Sequence, residues 1–408
     1  MFLDGKIVTV PFRDRLSPGP VGVRKYVPHK CFRGYTLFST AMGSTEYLID
    51  MNGIAIHTWP ITHSQYAELL PNGNLMADNY GSWIEEINTA GERVWIWEGP
   101  YHHDFHFVSD DEIVFLTNEA VKPMKGYYPK DGEPKSLKSD TVLCVNRKGK
   151  VLWRFPFHEH IQELHQLAGL PQPVRYAGID ADGNIVDKNH KGANGHDWAH
   201  CNTIEVLPDT PIGRSDKRFR KGNILFSFRA LDIIGVADVK KNKIVWAWGL
   251  GTLDGQHQPT MTDKGTILIF DNGTARGYSA AVEIDPRTNE EVWRYEDRAG
   301  FFSAYRSGVQ RLPNGNTLIA ESDAGRIFEV TAEKEVVWDY YNPFLSQAPG
   351  NQGLHVYRAT RYAYDDPRAE KALAPRFADK ISSLRIPHHA PVRTFGEAVR
   401  YYREGLGG

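Results

Sequence analysis

Cysteine is scarce in this 408-residue chain, with only Cys31, Cys144 and Cys201 present. An odd number at such wide spacing excludes a disulfide framework and a CxxC-type zinc site. An excess of charge is missing as well. The 48 Lys and Arg are offset by 50 Asp and Glu, for a net charge of −2, so no basic field exists to hold nucleic acid or an anionic membrane surface. No apolar run approaches the ~18–20 residues that a membrane span needs. The opening MFLDGKIVTVPFRDRL has no basic segment followed by an apolar one. No secretory signal is visible there, and a cytoplasmic location is expected. Serine-nucleophile elbows of the G-x-S-x-G type are absent, as are G-x-G-x-x-G and Walker loops, which removes nucleotide chemistry. What is abundant is aromatic side chains, at 12% with 10 Trp, together with 37 Gly. That mixture points to β-structure with many tight turns.

Two short units alternate along the chain. One is a strand, a turn and a strand ending in Trp, closing at Trp59, Trp95, Trp153, Trp246, Trp293 and Trp338. The other is a strand, a P-N-G-N-like turn and a strand, as in ELLPNGNLMADN and RLPNGNTLIAES. The turns supply the positive φ that hairpins need, and the strands alternate with period two. Joined in order, the units make a four-stranded sheet repeated along the chain, which is a β-propeller blade. The copies leave one mismatch, and QGLHVYRATRYAY (352–364) is strand-like. It is expected to be the inner strand of the blade whose outer strands span 33–59, so that the two ends of the chain close the ring. An all-β, six-bladed β-propeller over 1–364 is expected, with seven blades as the alternative. The rhythm breaks at 155–197, an insertion opening on an amphipathic helix pattern (HEHIQELHQL) and containing D-A-D-G-N, read as a hairpin turn. The tail, 365–408, carries two helix-like runs and is expected to pack on the outside of the ring.

Equivalent positions can be compared between blades. Residues eight and six positions before the turn Pro share one face of a regular inner strand, and that face lines the central channel. The pairs are His63 and Gln65, Tyr101 and His103, His200 and Asn202, Gly255 and His257, Tyr305 and Ser307, with His355 on the sixth strand. A wet channel needs polar residues of some kind, which accounts for any one histidine. Histidine recurring in five blades of six points instead to proton transfer or nucleophilic attack.

Arg229 lies past the second strand of its blade, and Arg276 lies in the following blade's loop beside Asn272. Arg306 should face away from the channel unless a bulge re-aims it. Each has a surface ion pair as its plain alternative. Together with the histidines they imply an anionic ligand, since guanidinium offers a fork for sulfate, carboxylate or phosphate. Asp104 and Glu321 would balance the charge. His103 and His106 lie three apart and face opposite ways on a strand, a poor metal pair. A ring of His103, His200 and His257 could hold an ion, but neither metal nor cofactor is expected.

The segments D-W-A-H-C-N (197–202), G-Q-H-Q-P (255–259), F-D-N-G…R-G (270–277) and R-L-P-N-G-N-T-L-I (311–319) resemble the bacterial arylsulfotransferases, of the arylsulfate sulfotransferase type. The resemblance runs over about residues 45–345 and keeps motif order. It implies a six-bladed propeller with a central His/Arg site. In that family a histidine attacks the sulfur of an aryl sulfate, and the sulfohistidine hands its sulfuryl group to a phenol. By motif, the resemblance implies that His200 and His257 bind the sulfate and share proton transfer, while Arg276 and Asn272 stabilise its oxygens. The attacking histidine stays open. The strand at 301–309 offers Tyr305 and Arg306, which leaves His355 or His103.

Three functions compete on this reading. Sulfuryl transfer needs a neutral nucleophilic histidine, a cationic clamp and an aromatic wall, for which Tyr80, Trp198, Phe302 and Tyr305 are candidates. A polysaccharide lyase would use Arg229 as a carboxylate clamp, with Tyr305, His103 and His200 for β-elimination. A non-catalytic binding ring is the third. The expected partner is a small molecule or glycan carrying sulfate or carboxylate, neither nucleic acid nor membrane.

Overall fold

The computed structural model describes residues 2–3, 6–7, 21–122, 137–170, 197–346 and 353–383. Most of the 155–197 insertion, its D-A-D-G-N turn and the second tail run lie outside the described residues. Six antiparallel sheets follow one another around a ring, as the repeat predicts. Blade 1 joins Val356–Ala363 to Gly34–Thr40, Gly43–Ile49 and Ala55–Ser64. Blade 2 runs from Ala67–Leu69 to Arg93–Glu98, and blade 3 from Tyr101–Ser109 to Val151–Pro156. Blade 4 runs from Cys201–Val206 to Lys243–Trp248, and blade 5 from His257–Met261 to Glu290–Glu296. Blade 6, Gly308–Arg311 to Val336–Tyr341, gains Gly22–Tyr26 as a fifth strand. The strand at 356–363 pairs with 34–40 in the blade whose outer strands were assigned to it from sequence.

Each sheet is apolar on both faces, so each must be covered by its neighbours. The buried apolar residues accordingly form six clusters, one at each junction of adjacent blades. The closing tryptophans serve these junctions. The indole N–H groups of Trp95, Trp246, Trp293 and Trp338 donate to Arg147 O, Asn289 Oδ1, Ala332 O and Met51 O. Each acceptor lies in or beside the outermost turn of the next blade, so a single residue type repeats because a single contact repeats.

The innermost strands have one unpaired edge facing the channel, and an open edge is a liability. Here a side chain of each inner strand accepts a backbone N–H from the next. Phe107 N donates to Glu68, Ile204 N to Asp104, Met261 N to Glu205, and Val309 N to Gln258. Arg361 N donates to Gln310, and Leu69 N to the Tyr362 hydroxyl, at 2.7 and 3.0 Å. The circle is complete. Much of the polar channel lining is therefore structural.

An eight-residue helix, Ile161–Ala168, opens the insertion and packs Ile161 and Leu164 between blades 3 and 4. The tail helix Pro367–Ser383 sets Ala369, Ala372 and Leu373 against the blade 1–blade 2 junction. Lys371 there donates to Pro71 O, at the turn end of the inner strand and away from the histidines.

One junction stores a proton. Ser64 Oγ lies 2.9 Å from both Glu46 Oε1 and Asp78 Oδ1. The hydroxyl has one hydrogen, so one carboxyl must donate back. Asp78 Oδ1 already accepts from the amides of Gln65 and Tyr66, which leaves Glu46 as the acid. Burial pushes Glu46 up to about 8, and Asp78 to about 7. A carboxyl raised on folding stabilises fully below its unfolded pKa and loses that contribution as pH rises through the folded value, by up to ~1.4 kcal/mol per pH unit. Buried neutral histidines act in the opposite sense only below about pH 6.5. Stability is therefore expected to fall as pH rises from about 6.5 to 8 and to level off above that, and Glu46→Gln to flatten the fall in urea unfolding. Parallel wild-type and variant profiles would refute the assignment.

Candidate active site

The inner strands do not begin regularly. Pairing slips between Tyr101 and Phe105, Cys201 and Thr203, His257 and Thr260, and Val356 and Ala359. His63, His103, His200, Gln258, Arg306 and Ser307 all have positive φ, between 44° and 79°. A left-handed non-glycine residue costs ~1–3 kcal/mol, and here it recurs at the same end of five inner strands. These bulges replace the period-two arithmetic used on the sequence. Tyr101 turns into the blade 2–blade 3 core instead of the channel, and Ser307 is fully buried.

Three imidazoles share the resulting well. The rings of His103 and His200 meet edge to face at 4.8 Å, and Tyr80 meets His103 at 5.7 Å. His257 lies close enough for its charge to bear on His103, and that of His200 to bear on His257. Each ring is anchored through Nδ1. His200 Nδ1 is 2.7 Å from Asp197 Oδ2, and His257 Nδ1 is 2.7 Å from Asn272 Oδ1 and 3.1 Å from Gly255 O. Asn272 Nδ2 donates to Ser303 O and Arg306 O, which fixes its oxygen toward the imidazole. His103 Nδ1 is 3.1 Å from Nδ1 of His102. None of the three Nε2 atoms has a hydrogen-bond partner among the described residues.

Burial, and then the charges of His200, His102 and Lys138, hold His103 well below the usual imidazole range. Burial and then Arg229 do the same to His257. Burial pushes the Asp197 carboxyl up, but His200 and Lys138, the latter at 3.4 Å, outweigh it and hold the group below its usual range. Arg229 is buried with its guanidinium 4.9 Å over the Tyr305 ring, and its backbone N–H donates to His200 O. Arg306 has a positive φ as well; burial raises Tyr80 and Asp323 with the Arg306 charge opposing it, and burial and then Arg306 lower His355.

Arg358 closes the floor. It starts from blade 1, pairs with Asp104 of blade 3 at 3.0 Å and donates to Asn202 O of blade 4. In a ring of six, blades 1 and 4 are opposite, so the side chain crosses the channel. Gly308 makes room for it, since a Cβ there would strike Gln258 Oε1 and touch Arg358.

Several sequence-stated roles change. Arg276 is not a free clamp: its nitrogens donate to the Asp271 carboxylate, Asp271 O and Tyr278 O. Asn272 orients His257 and has no amide group left for a sulfate. Asn202 is fully buried and ties blade 4 to Gln256 O of blade 5. Trp198 sits in the blade 3–blade 4 core rather than in an aromatic wall. Asp104 belongs to Arg358, and Glu321 to Arg326. His63 is exposed, and His355 is half-buried with Nδ1 3.1 Å from Asp323 O. Among the described residues no group of three or more His, Cys, Asp or Glu could hold a metal ion. Sequence reasoning missed His102, Lys138, Asp140, Asp197 and Arg358. The only visible signals were the paired histidines at 102–103 and an Asp three residues before His200.

Fold and site together define a six-bladed β-propeller with His103, His200 and His257 clustered at one end of its inner strands and Arg229 beside them. The sequence profile of the family described as Arylsulfotransferase (ASST) matches residues 67–343 of this 408-residue chain. The chain belongs to the arylsulfotransferase family, and at that level it is a sulfotransferase-like transferase. No curated protein matches it significantly. Similar solved structures include a protein of unknown function from Bacteroides caccae, 14% identical, covering 81% of this chain and 98% of that one with a TM-score of 0.47. Virginiamycin B lyase from Staphylococcus aureus is 13% identical, covering 69% and 70% with a TM-score of 0.37. A streptogramin B lyase is 12% identical, covering 81% and 85% with a TM-score of 0.42. Likeness at these identities and scores carries no argument about chemistry.

Proposed function

We propose that the protein moves a sulfuryl group from an aryl sulfate to a phenol-type acceptor, through a histidine in the well. The observation that supports this is the common anchoring of His103, His200 and His257 through Nδ1, with Arg229 close enough for its charge to bear on His257. With Nδ1 donating to an acceptor, Nε2 of a neutral ring carries a lone pair. His257, buried beside Arg229, is built as a base for the acceptor hydroxyl rather than as a sulfate donor. His200 is different, because a carboxylate, Asp197 Oδ2 at 2.7 Å, stands behind its Nδ1 in place of a neutral oxygen. It is suited to donate from Nε2 to a sulfuryl oxygen or to the departing phenolate. Arg229 and Arg306 supply the oxyanion clamp, and Tyr80 and Tyr305 supply flat surfaces for an aryl ring. No observation among the described residues favours uronate elimination.

Incubation with p-nitrophenyl sulfate is expected to release nitrophenol, faster with a phenol acceptor, and to add one SO3 to the protein when the acceptor is omitted. Arg229→Ala is expected to cut kcat/KM by about 10²-fold or more, as loss of an oxyanion donor does. Neither release nor adduct would end the sulfuryl-transfer reading, and an unchanged Arg229→Ala rate would remove that clamp.

A further inference from the structure

We propose that Asp232 is a positioning residue for the chemistry of the well, and that its carboxylate ties the loop ending in His257 to the turn that carries Arg229. The inference rests on the sulfuryl-transfer reading and holds whichever step the His257 ring performs.

Arg229, Ala230 and Leu231 form a short helical turn between the second and third strands of blade 4. The turn ends on Asp232, which has a φ of +53°. It lies against the well, because Arg229 N donates to His200 O and Ala230 N to Ala199 O, at 3.2 and 3.0 Å. The Asp232 side chain leaves the turn for the next blade, where Oδ1 accepts Gly255 N at 2.7 Å. Gly255 belongs to the loop that joins Lys243–Trp248 to the inner strand His257–Met261. Its own carbonyl is 3.1 Å from His257 Nδ1. Burial, helped by Asp254 and Asp271, pushes the Asp232 carboxyl up to about 7, while the Gly255 N–H and the Arg229 charge oppose it. One side chain thus couples the Arg229 turn of blade 4 to the residue that holds the His257 ring of blade 5.

The fold does not need this side chain. Asn and Gly also suit a left-handed φ, and the turn is closed by the backbone N–H of Asp232 on Arg229 O, not by the carboxylate. The two blades are already joined beside it through Gln256. Its Nε2 donates to Ser227 Oγ, Phe228 O and Ile233 O, and its carbonyl accepts from Asn202 Nδ2. Leu253, from the same loop, packs in the apolar cluster with Ile234 and Ile269. What remains for Asp232 is the placement of Gly255, and with it one of the two oxygens on His257 Nδ1. The other, Asn272 Oδ1, reaches the ring from blade 5 itself. Two acceptors keep the hydrogen on Nδ1 and leave Nε2 open to the well. With one of them displaced, the ring gains freedom to turn and to exchange tautomer, and a reacting group misplaced by about 1 Å costs about 10²-fold in rate.

Asp232→Gly and Asp232→Asn both fit the backbone and differ in whether an acceptor for Gly255 N is kept. Each full-length variant would be assayed for nitrophenol release from p-nitrophenyl sulfate with a phenol acceptor, and unfolded in urea. Asp232→Gly is expected to lower kcat by about 10–10²-fold with little change in KM, while its unfolding midpoint stays near that of the wild type. Asp232→Asn keeps an oxygen for Gly255 N without the charge, and is expected to recover most of the lost kcat. Wild-type kcat in Asp232→Gly would overturn the proposal. Equal losses in both variants would overturn it too, since the carboxylate would then act by its charge and not by holding Gly255. A fall in kcat matched by a fall in the unfolding midpoint would assign Asp232 to the fold instead. Those three results leave sulfuryl transfer standing. Absence of release from the wild-type chain would overturn sulfuryl transfer itself, and this proposal with it.

Discussion

His200→Ala and His257→Ala are each expected to lower kcat/KM for p-nitrophenyl sulfate by about 10²–10⁴-fold, the range for a positioned acid or base. Both should retain far-UV dichroism and a cooperative unfolding transition. Neither ring holds blades together: their Nδ1 contacts run to Asp197, Asn272 and Gly255, which lie at the mouth of the well. Asp197→Asn separates the two roles that a carboxylate can play. It keeps an oxygen within reach of His200 Nδ1 but removes the negative charge there, and it frees Lys138 from its pair at 3.4 Å. If His200 acts as a donor to the departing oxygen, Asp197→Asn should slow poor leaving groups more than nitrophenolate, which needs little protonation. A set of phenyl sulfates with graded leaving-group pKa tests this. Near-wild-type rates in both histidine variants would end the case for chemistry in the well.

The ring was legible in the sequence because its energetics repeat. Each blade must bury two faces against its neighbours, so the apolar alternation and the P-N-G-N turns recur. Trp95, Trp246, Trp293 and Trp338 recur because each reaches the outermost turn of the next blade. Closure by 352–364 followed from counting strands. Side-chain direction at the site was less legible. A sequence shows no sign that His103, His200 or Arg306 sits at positive φ, since nothing but Gly and Asn advertises that region. Tyr101 was therefore assigned to the channel and lies in the core, while Arg306 was assigned away from it and its charge reaches Tyr80 and His355. Arg276 and Asn272 were read as ligand groups because their residue types fit an anion. Asp271 and His257 answer to the same chemistry from within the protein. Arg358 looked like any polar residue of a strand, and only the ring geometry shows that it spans the channel.

The seam where the ring closes is expected to show the largest single-residue effect on stability, at Arg361. This arginine belongs to the closing strand of blade 1 and is fully buried beside Glu329 of blade 6, with Nη1 2.6 Å from Oε2. Its Nε donates to Thr36, and its guanidinium lies 4.4 Å over the Trp338 ring. Glu329 in turn accepts from Phe32 N and from Asn316. Both chain-distant halves of blade 1 are thus pinned to blade 6 through one ion pair. Burial pulls the Arg361 pKa below its ordinary value, with Glu329 opposing. A charge held so deeply stays only while its partner is present. Arg361→Ala leaves the Glu329 carboxylate buried without its cation, and is expected to cost about 3–5 kcal/mol in urea unfolding at pH 7. Removing both charges should be milder. Glu329→Gln retains an acceptor for Phe32 N, so Arg361→Met combined with Glu329→Gln should recover part of the loss, a positive coupling in the double-mutant cycle. A loss below about 1 kcal/mol for Arg361→Ala would mean that the seam is held by the apolar cluster of Phe38, Leu318, Trp338 and Val356 and not by the pair.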